Sequence, residues 1–464
     1  MKKLTIFTRV AVTIIAVFSL SSCEKNFLDV NDNPNLPSDV PLNIILPSGQ
    51  ASLAYTLGGD IARYNAIFTQ NVTGANRQFV GYDAYIFTEE DFNNLWNNMY
   101  ADNMEDFSKI MAKSSASPGN YDAYRGVAKV MMAYSLMTMT DLFGNVPYTE
   151  AFKGDAKISP PYDSQQEIYT TILPGLLNSA IVDMGNSSDD FIVPGIDDLI
   201  YGGDLAKWTM LANGLKARMS IHLTKRGSVA AAQAAMDAIT AGGLTSNADD
   251  AMLSFPGGSN QNPWYQFIDQ RGDISYSPID AVWGLSATLV DDLIVNNDPR
   301  YNAMIDINGV TYDVGLPSGF YIAETAPVYF YSYYEQKFIE AEAKLILGDD
   351  AGAETALHEA ISANMQKLGV AAADDATYQA TNVIWATAPD KMALILTQKY
   401  YANYLQPESF NDWRRTGFPA LTPNAGATSP IPRRLIYPTN ERLYNGNADN
   451  AASTMQNPKL YWDN

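Results

Sequence analysis

A mostly α-helical scaffold carrying long irregular loops is the fold class this sequence predicts, and three observations predict it. FIEAEAKLILGDDAGAETALHEAIS (338–362) reads as two helices folded back at a glycine. WTMLANGL (208–215) and YRGVAKVMMAYSLM (124–137) repeat its spacing of small residues. Between these runs lie stretches dense in Gly, Pro and aromatics, too broken for helix.

Along the chain, residues 1–22 read as a secretory signal: Lys2, Lys3 and Arg9, then an apolar run, then small residues. That run is shorter than the about 20 residues a membrane-crossing helix needs. Leu20-Ser21-Ser22-Cys23 has the form of a bacterial lipobox, and Cys23 is the only cysteine in the chain. Acylation there, at about 0.8 kcal/mol per buried methylene, gives durable anchoring. The expected division is 1–22 signal, 23–40 lipidated tether and 41–464 a single body. DVNDNPN (29–35) alternates oxygen side chains but lacks the glycine and distal glutamate of a calcium loop, and reads as turn chemistry. Glu89, Glu90 and Asp91 are placed to open a helix, favourable against its dipole.

The 338–362 segment fits one tetratricopeptide-like unit. Ala341 takes the small position of its first helix, Gly348 the turn, and Asp349 or Asp350 the cap of the second. Ala353, Leu357 and Ala360 then line the packed face. Trp208, Leu211, Ala212 and Leu215 open a second match, continued by Ala232 and Met236. Ala128 marks a weaker third, and DKMALILTQKYYANYL (390–405) is a further amphipathic helix. Residues 141–162, 254–285 and 407–464 are expected to be loop or tail, with short strands near 251–255 and 305–322. Loops this long inside a compact chain tend to be functional.

The composition is 47% hydrophobic and 17% charged, which suits a packed body. The 30 basic residues against 51 acidic ones leave a net charge of −21. Cleavage before Cys23 removes three bases and no acid, giving −24. Nucleic acid is therefore excluded as a partner, since its phosphates need a basic footprint. His222 and His358, the only histidines, lie in helical runs and are expected to pack rather than bind metal. Short acidic runs occur, at 89–91, 189–190, 197–198, 249–250 and 291–292 among others, but neighbouring acids point apart and do not make the spaced carboxylate pair of a glycosidase. No cofactor or metal site is expected.

The lipobox, FLDVNDNPN, DLFGNVPYTEAF, FIEAEAKLILGD, WRRTGFPAL and IPRRLIYPTNE, in that order along nearly the whole mature chain, resemble the SusD/RagB group of Bacteroidetes outer-membrane lipoproteins, in its SusD-like type 2 branch. The resemblance implies about four tetratricopeptide-like helix pairs with an irregular ligand-binding face and no enzymatic activity. It implies a lipid-anchored protein facing outward on the cell outer membrane. The partner would be a SusC-like TonB-dependent β-barrel transporter, and the ligand an oligosaccharide or, less often, a peptide.

Sugar recognition asks for flat aromatic rings on loops beside amide or guanidinium groups, because a sugar ring presents C–H groups on its face and hydroxyls at its rim. Two stretches meet this. ANRQFVGYDAY (75–85) offers Asn76, Arg77, Tyr82 and Tyr85. NPWYQFIDQRGDISYSPIDAVW (262–283) offers Trp264, Tyr265, Tyr276 and Trp283. Arg414, Arg415, Arg433 and Arg434 could form an anion clamp, but with so many acids available they are expected to pair within the scaffold, with Glu340 or Glu342 for example. Trp96 and Trp208 lie in helical patterns and are expected to pack.

Overall fold

The structure, a computed structural model, describes residues 40–186, 191–268, 271, 273–275, 288–305, 319–424, 426–448 and 454–464. Helix α1 (Leu42–Thr56) runs through a wide turn at Leu57–Ile61 into α2 (Ala62–Phe68). Gly59 leaves helical geometry inside that turn, at φ −96° and ψ −106°. The short strand β1 (Thr73–Gly74) and α3 (Gln78–Asp83) follow. The acidic run opens a 3-10 turn, Glu89–Phe92, capped reciprocally by Thr88 and Asp91, that continues directly into the helix Asn93–Asn97.

Next come α4 (Glu105–Ser115), α5 (Asp122–Phe143), α6 (Leu173–Met184), α7 (Leu205–His222) and α8 (Thr224–Thr240). The middle of the chain holds β2 (Ala251–Leu253), α9 (Pro263–Ile268), β3 (Ile274–Ser275), α10 (Thr288–Val295), α11 (Arg300–Ile305) and β4 (Val328–Tyr331). It closes with α12 (Tyr333–Ile346), α13 (Asp350–Lys367), α14 (Ala372–Asn382), α15 (Lys391–Ala402), α16 (Pro407–Thr416) and α17 (Thr439–Tyr444).

The helices stack in sequence: α5 lies between α4 and α6, α7 against α6 and α8, α8 against α12, and α12 against α13 and α15. The α12–α13 hairpin is built as its sequence demands. Gly348 turns with φ +85°, where a Cβ would be strained. Asp349 caps α13 by accepting from Gly352 N at 2.9 Å. Ala341, Ala353, Leu357 and Ala360 are fully buried, and their small size lets the two helices close on each other. In α7 and α8, Trp208, Leu211, Ala212, Leu215 and Ala232 are buried likewise.

Three loop expectations are corrected. Strand β2 forms as read, and its antiparallel partner is β4, with Leu253 opposite Val328. Residues 306–318 of the expected second strand lie outside the described residues, and Gly319–Ile322 is helical. VYFY at 328–331 is buried on both faces, so it lacks the alternation that marks a half-buried strand. Inside the 254–285 loop, Asn262 caps a short helix, its Oδ1 accepting from Trp264 N at 2.7 Å and Tyr265 N at 3.2 Å. In the tail, Pro407 starts α16 and left-handed Gly417 ends it.

The arginines are held by the scaffold. Arg415 forks onto Glu342, with Nη2 at 2.8 Å from Oε2, and reaches Asp412 at 2.7 Å. Arg414 spends its donors on Asn411 and on the carbonyls of Asp141 (2.6 Å) and Arg433 (3.0 Å), with its guanidinium 3.8 Å from the Phe410 ring centre. Arg433 pairs with Asp463 at 2.6 Å, and Arg434 donates to the Phe143 carbonyl. His222 is fully buried between Glu408 (2.7 Å) and the Tyr169 hydroxyl (2.8 Å). Burial pushes Glu408 up, but His222 and Arg218 beside it outweigh that and hold its carboxyl well below the usual range. No described helix is long and apolar enough to cross a membrane.

Candidate ligand-binding face

The two loop stretches singled out in the sequence meet. Strands β1 and β3 pair antiparallel, Thr73 opposite Ser275 and Gly74 opposite Ile274. The ladder continues as Ala75 N and Asn76 N both donate to the Asp273 carbonyl, at 2.9 and 3.2 Å. Gly74 is required there: a Cβ would lie 1.8 Å from the Phe79 carbonyl oxygen. Gly74 N also donates to Asp83 Oδ1 at 3.1 Å. Burial pushes the Asp83 carboxyl up to about 6, although this bond and one from Asn424 pull the other way.

Arginines crown the ribbon. Arg77, with φ +50°, projects from the turn and pairs with Asp273 at 3.0 Å. Arg271 pairs with the same buried carboxylate at 3.0 Å. Two guanidiniums thus share one acid. Beneath them Phe267 carries the Arg63 guanidinium 3.3 Å from its ring centre and that of Arg271 at 4.8 Å. Arg63 pairs in turn with Asp60 of the wide turn, while burial draws its pKa down. Tyr55, nearly half exposed, donates to Gln266 Oε1 at 3.1 Å. Guanidinium and amide donors beside half-exposed rings can bind a polyhydroxylated ligand by rim hydrogen bonds and face stacking.

Asn76 and Arg77 are exposed on this face and Tyr265 is half-buried. Tyr82, Tyr85 and Trp264 are buried. Tyr82 stacks on Phe87 (4.4 Å between centres, 7° apart) and donates to Asp91. Tyr85 is 4% exposed, and burial raises its phenol pKa. Trp264 is 1% exposed and walls a small cavity of about 30 Å³. Tyr276 and Trp283 lie outside the described residues. Tyr55, Arg63, Gln266, Phe267 and Arg271 were not singled out from the sequence. The break in helical pattern at LGGDI (57–61) was the one available signal for the first two.

A second polar cleft, about 760 Å³, opens between the α10–α11 turn and α14, lined by Asn296, Asn297, Asn302, Thr377, Thr381 and Tyr301 among others. Helix α10 begins beside β1, with Leu289 N donating to the Gln70 carbonyl at 3.3 Å and Thr288 Oγ1 to Gln70 Oε1 at 2.5 Å. The asparagine-rich VNNDPRYN (295–302) was its sequence signal.

A stacked helical body presenting a loop-built polar and aromatic face is the architecture of a binding protein. Residues 34–438 match the SusD-like 2 family, described as "Starch-binding associating with outer membrane", and the chain belongs to that family. Among solved structures it is similar to a SusD/RagB family protein from Bacteroides thetaiotaomicron, at 27% identity and TM-score 0.76, covering 92% of this chain and 99% of that one. It shares its fold with a chitin-binding protein (22% identity, TM-score 0.74, 91% and 100% coverage). A chitin-binding SusD homolog from Flavobacterium johnsoniae does the same (19%, 0.71, 91% and 97%). No curated protein sequence matches the chain.

Proposed function

We propose that this chain is a surface lipoprotein that binds a neutral oligosaccharide on the β1–β3 face and delivers it to a SusC-like TonB-dependent barrel. The observation that carries this reading is the ribbon itself. It joins the segment carrying exposed Asn76 and Arg77 to the one carrying Arg271, beside the packed rings of Phe79, Tyr82 and Phe267, and in this reading Tyr85, Trp264 and Tyr265 belong to the same binding region. In this reading Tyr276 and Trp283 belong to the same contact set. The family's description supports a starch-type glycan, and the names of two structural neighbours extend the candidates to chitin oligosaccharides. The chain binds and does not catalyse. Residues 1–22 direct export, Cys23 carries the lipid, 23–40 tether, and 41–464 bind ligand outside the cell.

Calorimetric titration with maltoheptaose, chitohexaose and a mixed peptide panel tests the ligand class. Arg77→Ala and Tyr265→Ala are each expected to weaken glycan binding by about tenfold, roughly 1.4 kcal/mol, without moving the melting temperature. Binding to peptides alone, or glycan binding untouched by both variants, overturns the reading. Cys23→Ala is expected to release the protein from membranes with ligand binding intact, and retained attachment refutes the lipid anchor.

A further inference from the structure

We propose that the cleft between the helical turn Asn98–Met104, the 147–160 loop and α17 is a second binding site, and that it takes an organic cation carrying a protonated amine. The cleft encloses about 510 Å³ and does not share a residue with the face described above. Its walls are aromatic. Trp96 and Tyr100 lie 4.9 Å apart between ring centres, at 32°. Tyr100 and Phe152 face each other nearly parallel, at 6.0 Å and 24°. Tyr444 stands at the mouth, 79% exposed. Phe152 sits at φ +59°, a region a bulky side chain rarely adopts, and the loop holds it there with its ring against the cleft.

The charges in the cleft are of one sign. Glu441 Oε1 accepts from the Tyr162 hydroxyl and from Asn445 Nδ2, both at 2.7 Å. Among the described residues no donor reaches its Oε2. Among the described residues Glu105 is met only by Lys109, at 3.5 Å, whose side chain lies half in solvent. No Lys, Arg or His is among the lining residues. Of the other cations nearby, Lys153 pairs with Glu150 at 2.7 Å and Arg442 with Glu89 at 2.6 Å, while Lys157 of the same loop is exposed and is not among the lining residues. Tyr100 is no competitor, since burial and the Glu441 charge keep its phenol protonated and its hydroxyl donates to the Pro147 carbonyl at 2.7 Å.

Ring faces attract a cation through their quadrupole, and a carboxylate with a spare oxygen completes the pairing. A neutral sugar could stack on the same rings but would gain nothing from the two carboxylates as charges. The protonated amine is therefore the ligand chemistry the cleft selects, whether it arrives on a lysine side chain or on an amino sugar.

The test is saturation-transfer NMR and calorimetry on the full-length chain at low salt. The probes are Nα-acetyl-lysine amide and glucosamine, each beside its neutral N-acetylated counterpart. The cation of at least one pair is expected to bind about tenfold more tightly than the neutral partner, and to weaken as salt rises to 0.5 M. Which pair responds identifies the source. Tyr444→Ala and Glu105→Gln, both at partly exposed positions, are each expected to reduce that binding about threefold or more while Arg77→Ala leaves it unchanged. Equal binding of charged and neutral partners, no binding of either cation, or indifference to both cleft variants overturns the proposal. Because the probes and variants differ from those of the β1–β3 face, failure here leaves the glycan reading standing, and the reverse also holds.

Discussion

Replacing Arg415 by alanine separates a structural arginine from a ligand clamp. Arg415 is 2% exposed and is the only described partner of Glu342, itself 2% exposed. Its guanidinium also reaches Asp412 and Thr224 Oγ1 (3.0 Å), tying α16 to α12 and to the start of α8. Asp412 would keep Lys399 at 2.8 Å. Glu342 would be left as a buried carboxylate with no counter-charge, and breaking such a pair costs about 3–5 kcal/mol. An unfolding entropy of about 2.1 cal/mol/K per residue over the body Leu42–Asn464 is about 0.9 kcal/mol/K. The expected fall in melting temperature is therefore roughly 3–6 °C, read by calorimetry and checked by the urea midpoint. The double variant Arg415→Met, Glu342→Leu should recover much of the loss, because both buried charges go together. A single variant with unchanged stability and abolished ligand binding would refute the structural assignment.

Three further outcomes follow from the geometry. Asp83 has a folded pKa of about 6 against an ordinary 3.8, so the folded state holds its proton more tightly; this contribution is fully present below pH 3.8 and is lost as pH rises through 6. Asp83→Asn, which can still accept from Gly74 N, should gain on the order of 2–3 kcal/mol at pH 8 and nothing at pH 3.5 in paired urea titrations. Gly214→Ala reverses the usual helix preference of about 1 kcal/mol for alanine: its Cβ would lie 2.3 Å from Tyr331 Cε1, a fully buried ring, so the melting temperature should fall rather than rise. Asp349→Ala removes the cap of α13 and should cost about 1 kcal/mol in the urea midpoint, with ligand affinity unchanged.

The parts of this fold that were legible are those written locally. Ala341, Gly348, Asp349 and Ala353 lie within one hairpin, so their spacing alone states the turn, the cap and the close helix approach. Pairing across long separations was not legible. Nothing in TG at 73–74 announces IS at 274–275, and nothing in AML at 251–253 announces β4 as its partner. The loop stretches were found by residue type, yet type does not report depth. Trp264 and Tyr82 have the same chemistry as exposed rings, and only the packing of Phe87, Asp91 and the β4 segment buries them. Arg63 and Phe267 escaped notice because their contact joins α2 to α9, about two hundred residues away.

The most direct test of the central claim is calorimetric titration of maltoheptaose and chitohexaose into the wild-type chain and Arg77→Ala. The account predicts binding of at least one glycan by the wild type, weakened about tenfold in the variant at an unchanged melting temperature. Glycan binding of equal strength in both proteins, or none in either, would contradict it.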